Sequence, residues 1–188
     1  RLFILSDSPP EKDIQWSDSG MSSSFKFIQK FWLLSNEIFN LITKKEYDSK
    51  KEIDVFTNQS IDKINFALAK FRYNVIIAVF HEIYSFLKKL LEEGKNYKNL
   101  EENFKKILII VSPVIPHIAS ECLGKMGVKN FSWPKVNNKY LKSNEKIIVI
   151  QINGKKRNTI KINDEITEND LIEKIKEMKI IEKYIINK

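Results

Sequence analysis

NQSIDKINFALAKFRYNVIIAVFHEIYSFLKKLLEEG, residues 58–94, carries the most extended apolar pattern in the chain. Ile61, Ile64, Leu68, Phe71, Val75 and Ala78 recur at alternating steps of three and four. Val79, Ile83, Phe86 and Leu90 continue at four, three and four. Those intervals return a side chain to one stripe of an α-helix, whereas a strand needs a period of two. Gly94 fits the left-handed residue that follows a helix. Residues 58–93 are therefore predicted to be helical.

The same period extends to both sides. Residues 22–45 place Phe25, Ile28, Trp32, Ser35, Phe39 and Ile42 on one helical face. KKEYDSKKE, residues 44–52, reads as a charged, solvated linker. A third helix is predicted from Leu100 to Val111, until Ser112-Pro113 and Pro116 interrupt it. Ile118, Ala119 and Leu123 then mark a last short helix ending at Gly124. Three or four amphipathic helices on short loops imply an up-and-down bundle over residues 22–134. At this spacing Trp32, Phe71 and Phe86 are read as core and not as a binding groove. Residues 1–21 are predicted to be extended and turn-like, because Pro9 and Pro10 exclude helix and Ser17–Gly20 has turn and helix-start chemistry. The missing initiator methionine is read as the mark of a fragment.

From residue 131 the character changes. FSWPKVNNKYLKSNEK, residues 131–146, is polar and basic, and residues 135–146 are taken as an interdomain linker. A small α/β domain is expected over 147–188. IIVIQI and KKRNTIKI flank Asn153-Gly154, a strong hairpin signal. A two-residue loop would pair Ile152 with Lys155 and put Ile148 and Ile160 on opposite faces. An odd loop with Gly154 in a bulge keeps Ile148, Ile150, Ile160 and Ile162 together. The odd loop is preferred, and it collects Gln151, Lys155, Arg157, Thr159 and Lys161 on the other face. Lys156 and Asn158 then fall on the apolar side. ITENDLIEKIKEMK reads as a helix with Thr167 as N-cap, Asp170 in a weak capping box, and an Ile166–Leu171 staple. IIEKYII, residues 180–186, reads as a strand, and the domain is expected to be truncated.

Charge narrows the function. The chain has 188 residues, a net charge of +8 and 43% hydrophobic residues. Residues 135–161 hold eight basic residues and only Glu145 as acid, so this stretch carries +7. Such clustering suits a polyanion. The lone Cys122 excludes an intramolecular disulfide and fits a reducing cytoplasm. No apolar run approaches the roughly 20 residues of a membrane span, and no secretory signal opens the chain. No phosphate-binding glycine loop is present. His81 and His117 have no metal-like spacing, and Cys122 reads as core. These features define a basic helical bundle with a small α/β appendage, RNA-binding and without a catalytic or metal site.

Several motifs together carry a resemblance. RLFILSDSPPEKDIQWSDSG is similar to the segment following the catalytic core in bacterial-type leucyl-tRNA synthetases. FRYNVIIAVFHEI resembles the F-N-x-A-I-A helix of their anticodon-binding domain, and SPVIPHIASECL the P-H-I-x-E-E-L-W element. Trp133-Pro134 resembles the WP that closes it, and VIQINGKKR the V-Q-V-N-G-K-x-R hairpin of the C-terminal domain. Ser23, Ser120, Leu123 and Lys156 depart from the usual glycine, glutamate, tryptophan and apolar residue. The bundle motifs fit valyl and isoleucyl enzymes as well, and the hairpin points to leucine.

The resemblance implies a C-terminal fragment that docks leucine tRNA as part of a ligase. ATP and Mg2+ serve the parent enzyme, and the fragment holds no cofactor, metal or catalytic residue. Lys155, Arg157 and Lys161 are expected on phosphates, Gln151 and Asn153 in shaping the hairpin, and Lys146 and Lys156 complete the tRNA-contacting set. The partners implied are leucine tRNA and the catalytic domain of the same chain, in a cytoplasmic, membrane-free monomer. An independent RNA-binding module and a protein-interaction bundle with an incidental basic tail are the alternatives.

Overall fold

A computed structural model describes residues 1–6, 11–141, 145–152, 155–163, 170–172 and 175. The chain divides into two compact units, Arg1–Leu141 and Lys142–Lys188.

The first unit is a helical bundle. A short α1, Leu2–Ser6, is followed by α2, Asp18–Ile42. Then come α3, Lys51–Ala69, and α4, Tyr73–Glu93. The unit closes with α5, Leu100–Val111, and α6, Pro116–Lys125. α3 packs against both α4 and α5, and α2 against α4. Phe31, Phe80 and Phe104 are fully buried at the centre with Ile38, Ile61, Ile64 and Ile83. Two-residue strands β1, Glu46–Tyr47, and β2, Asn96–Tyr97, pair in parallel at one end. The buried Asn96 amide donates to Ile42 O at 2.8 Å and Lys44 O at 3.0 Å, satisfying carbonyls where α2 ends.

The 58–93 pattern is not one helix. α3 begins at Lys51, inside the segment read as a linker, and the chain reverses at Lys70–Arg72. Arg72 N donates to Ala67 O at 2.8 Å and Phe71 N to Leu68 O at 3.1 Å. These are the two bonds of a Schellman termination, and Phe71 takes the left-handed position with φ of 53°. Glycine usually fills that place, so no breaker residue announces the turn. The reversal also breaks the expected stripe. Phe71 is 62% exposed and is not core, and Val75 and Ala78 are exposed too. The buried positions are instead Ile76, Ile77, Val79, Phe80 and Ile83. Gly94 does end α4, with φ of 65°.

Other boundaries move for similar reasons. α1 is helical, and its Leu2 and Phe3 are buried, where an extended segment was expected. α2 starts at Asp18 because Ser17 caps it, its hydroxyl accepting from Gly20 N at 3.1 Å. Gly20 is required by packing: a Cβ there would lie 2.6 Å from the Phe3 ring. The buried face of α2 is Phe31, Leu34, Ser35, Ile38 and Leu41, while Phe25 is 60% exposed. Residues 135–141, read as linker, belong to the first unit, where Val136 packs on the core. A 3-10 turn, Asn138–Tyr140, follows it.

In the second unit, β3, Glu145–Ile152, pairs antiparallel with β4, Lys155–Asn163. Residues 170–172 and 175 are helical. The Thr167 cap, the Ile166 half of the staple and the strand at 180–186 lie outside the described residues.

Candidate nucleic-acid interface

The register decides which side chains share a hairpin face. Ile148 pairs with Ile160, Val149 with Thr159 and Ile150 with Asn158. A shift follows, so that Gln151 pairs with Lys156 and Ile152 with Lys155. Arg157 is the extra residue. Two residues, 153 and 154, remain between the strands, so the preferred odd loop is corrected to an even one. The bulge sits in β4 and not at Gly154, and it restores the parity that an even loop alone would lose. Ile148 and Ile160 therefore do share a face, as the odd loop was chosen to achieve.

The correction exchanges two lysines. Register positions 147, 149 and 151 lie opposite 161, 159 and 156, and positions 146, 148, 150 and 152 lie opposite 162, 160, 158 and 155. Lys156 thus joins Gln151, Thr159 and Lys161 on one face. Lys155 takes a place on the face of Ile148 and Ile150, as Lys146 does. Asn158 falls on the apolar side as expected. Exposure agrees: Val149 is 46% exposed and Thr159 is exposed, whereas Ile150 is 6% exposed. Asn153 lies outside the described residues. Arg157, half-buried, is the extra residue at the bulge.

The residues weighed for chemistry lie in the bundle and do not converge. The His81 ring lies 3.9 Å from that of Phe27, and burial lowers its pKa. Cys122 is fully buried, and burial raises its thiol pKa above the ordinary value. His117 is exposed on α6. Among the described residues no three His, Cys, Asp or Glu side chains come together as a metal site. Also among them, no helix is long and apolar enough to cross a membrane. The polar groups that do gather are structural. Asp54 on α3 accepts from Asn99 Nδ2 at 2.7 Å and Asn103 Nδ2 at 2.8 Å, tying α3 to the start of α5.

A helical bundle followed by a basic hairpin is the class of fold the described residues define. The family described as the anticodon-binding domain of tRNA ligase matches residues 50–175, and the chain belongs to that family. Its relatives are more particular. The chain is 29% identical to a leucine–tRNA ligase of Petrotoga mobilis, over 100% of the chain and 25% of the relative. It is 31% identical to that of Prochlorococcus marinus, over 92% of the chain and 21% of the relative. For Caulobacter vibrioides the figures are 32%, 89% and 21%. The chain thus spans about a quarter of the length of the curated relatives it matches. The fold is similar to that in a ternary complex of an Agrobacterium radiobacter LeuRS with tRNA and LeuAMS. There the TM-score is 0.79 at 19% identity, covering 100% of this chain and 26% of that one.

Proposed function

We propose that this chain is the tRNA-docking part of a leucine–tRNA ligase, the enzyme that joins leucine to its tRNA at the expense of ATP. The observation that carries this is the family match over residues 50–175, with leucine–tRNA ligases as the relatives. The relatives also favour leucine over the valyl and isoleucyl readings. ATP and Mg2+ belong to the reaction of the longer enzyme. The chain works as a monomer in the cytoplasm and contributes affinity and orientation.

Among the hairpin residues, position 156 stands opposite Gln151 and position 161 opposite Ile147 on the same face, and Arg157 occupies the bulge position. We assign the three cations Lys156, Arg157 and Lys161 to backbone phosphates of leucine tRNA. RNA recognition of this kind reads shape and backbone more than sequence. Lys146 and Lys155 stand at positions of the other face and contribute less.

The test is binding of this chain to leucine tRNA, and to a tRNA lacking a long variable arm, across a salt series. Changing Lys156, Arg157 and Lys161 to Ala should lower the log–log salt slope by about 2, since each phosphate contact contributes roughly 0.7–0.9. Absence of binding to either RNA would overturn the reading. An unchanged slope would move the contacts off the hairpin.

A further inference from the structure

Beyond α6 the chain turns back along α3 as a strap. Trp133 Nε1 donates to Asn65 Oδ1 at 2.7 Å, and Asn137 N donates to Asn58 Oδ1 at 2.8 Å. Asn58 and Asn65 are seven residues apart, about 10.5 Å of helix rise. Trp133 and Asn137 are four residues apart, a reach of about 13–14 Å when fully extended. The strap therefore runs antiparallel to α3 and close to extended. Val136 packs on the core from its inner side, and Asn58 is buried beneath it. Two side-chain anchors and one apolar plug hold it in place.

What the strap shows to solvent is one-sided in charge. From Cys122 to Asn144 the sequence has five lysines and no acid. Lys125 is engaged, its Nζ lying 4.1 Å from the Trp32 ring centroid. Lys129, Lys135 and Lys139 are exposed, and among the described residues none has a carboxylate within 4.0 Å. Asp62, the acid closest to the anchors in helical spacing, pairs with none of them. Exposed rings lie on the same segment: Phe131 at 50% and Trp133 at 39%. Phe66, next to the Asn65 anchor, is 60% exposed. Cations without a carboxylate partner beside aromatic surface, Lys139 lying 5.9 Å from the Tyr140 ring centroid, suit an RNA strand better than an apolar protein partner when the backbone is already held in place. Preorganisation spares the ordering cost that a loose basic tail would incur.

We infer that the strap Lys129–Tyr140 is a second RNA-contacting surface, on the bundle itself, in which Lys129, Lys135 and Lys139 take backbone phosphates and the rings of Phe131 and Trp133 take an unpaired base. This rests on the tRNA-docking reading and adds a site to it.

The experiment compares leucine tRNA binding by the whole chain and two triple variants, from about 50 to 200 mM salt. Lys129→Ala/Lys135→Ala/Lys139→Ala should lower the salt slope by about 2. Lys26→Ala/Lys30→Ala/Lys44→Ala removes the same charge from exposed, unpaired positions on and just after α2 and should change it by less than half as much. Equal effects of the two triples, or no effect of the first, would overturn the strap while leaving tRNA docking intact. No binding by the unmodified chain would overturn both. Phe131→Ala should weaken binding at least fivefold at every salt concentration with the slope unchanged. Wild-type affinity in that variant would remove the base contact from the proposal.

Discussion

The bundle and the hairpin reach their shapes by different means. In Arg1–Leu141 side chains decide, because a helix places a residue on a face only through its neighbours' packing, and the face can drift along its length. Between β3 and β4 the pairing decides, because a shift of one residue moves every later side chain to the opposite face. On the hairpin Ile150 is a buried hydrophobic side chain, whereas the bundle has a continuous core. A lysine therefore means different things in the two places. On the bundle its role follows from what lies beside it. On the hairpin its role follows from counting.

The sharpest break in that comparison is at Asp54. Its carboxylate accepts from both Asn99 and Asn103; the Asn99 amide also donates to Lys50 O and accepts from Lys50 N, and the Asn103 amide also donates to Asn99 O. Hydrogen bonds to a charged group are worth roughly 1.5–3 kcal/mol each, less where solvent can replace them. Asp54→Ala should destabilise the bundle by about 3 kcal/mol, a fall of roughly 9 °C in Tm. Asp54→Asn keeps an acceptor and should cost about half as much. Tryptophan fluorescence isolates this effect, since Trp16, Trp32 and Trp133 all lie in the first unit. A loss under 1 kcal/mol for Asp54→Ala would mean that packing alone fixes α5 against α3.

Legibility in the sequence follows the same division. The helix at Leu100–Val111 was readable, since the following prolines and its dense apolar face agree. So was the end of α4 at Gly94. The reversal at Lys70–Arg72 was not, because its left-handed residue is a phenylalanine and the three–four steps pass through it without a gap. The buried stripe on α2 was half legible: Ser35 was placed on it, but Phe31, Leu34 and Ile38 were not, since Phe25 and Trp32 offered a rival stripe one position away. On the hairpin, the alternating isoleucines revealed which residues must share a face. They could not reveal where the extra residue sits, because a bulge at Gly154 and one at Arg157 satisfy them equally. Only the loop-proximal pairs differ, and those include the lysines on which the tRNA contacts depend. The strap was hidden altogether, its anchors Asn58 and Asn65 being ordinary polar residues until the chain returns over them.

A smaller effect of unusual sign tests the first of these failures. A bulky residue at positive φ costs about 1–2 kcal/mol relative to one that adopts it freely. Phe71 buries little in return, its one ring contact being an edge approach to Tyr73 at 6.4 Å. Phe71→Gly should therefore stabilise the bundle by about 1 kcal/mol, after allowing for glycine's extra freedom in the unfolded chain. Removing an aromatic ring and raising Tm is the expected result. A lower Tm would show that the Phe71–Tyr73 contact outweighs the strain.

The smallest change in energy gives the sharpest test of the hairpin. With the even loop, Ile152 and Lys155 stand directly opposite, and directly opposed residues have Cα atoms about 4.5–5.5 Å apart, within disulfide range. Ile152 and Lys156 are then offset by one, with Cβ atoms on opposite faces, and cannot be bridged without moving the backbone. The odd loop reverses the two cases. Ile152→Cys/Lys155→Cys should therefore lose both reactive thiols on mild oxidation, and Ile152→Cys/Lys156→Cys should keep them. The native Cys122 is fully buried and does not compete. The opposite pattern would return Lys155 to the face of Gln151 and Lys161. It would exclude Lys156 from that face and change which lysine must be removed to flatten the salt dependence of tRNA binding.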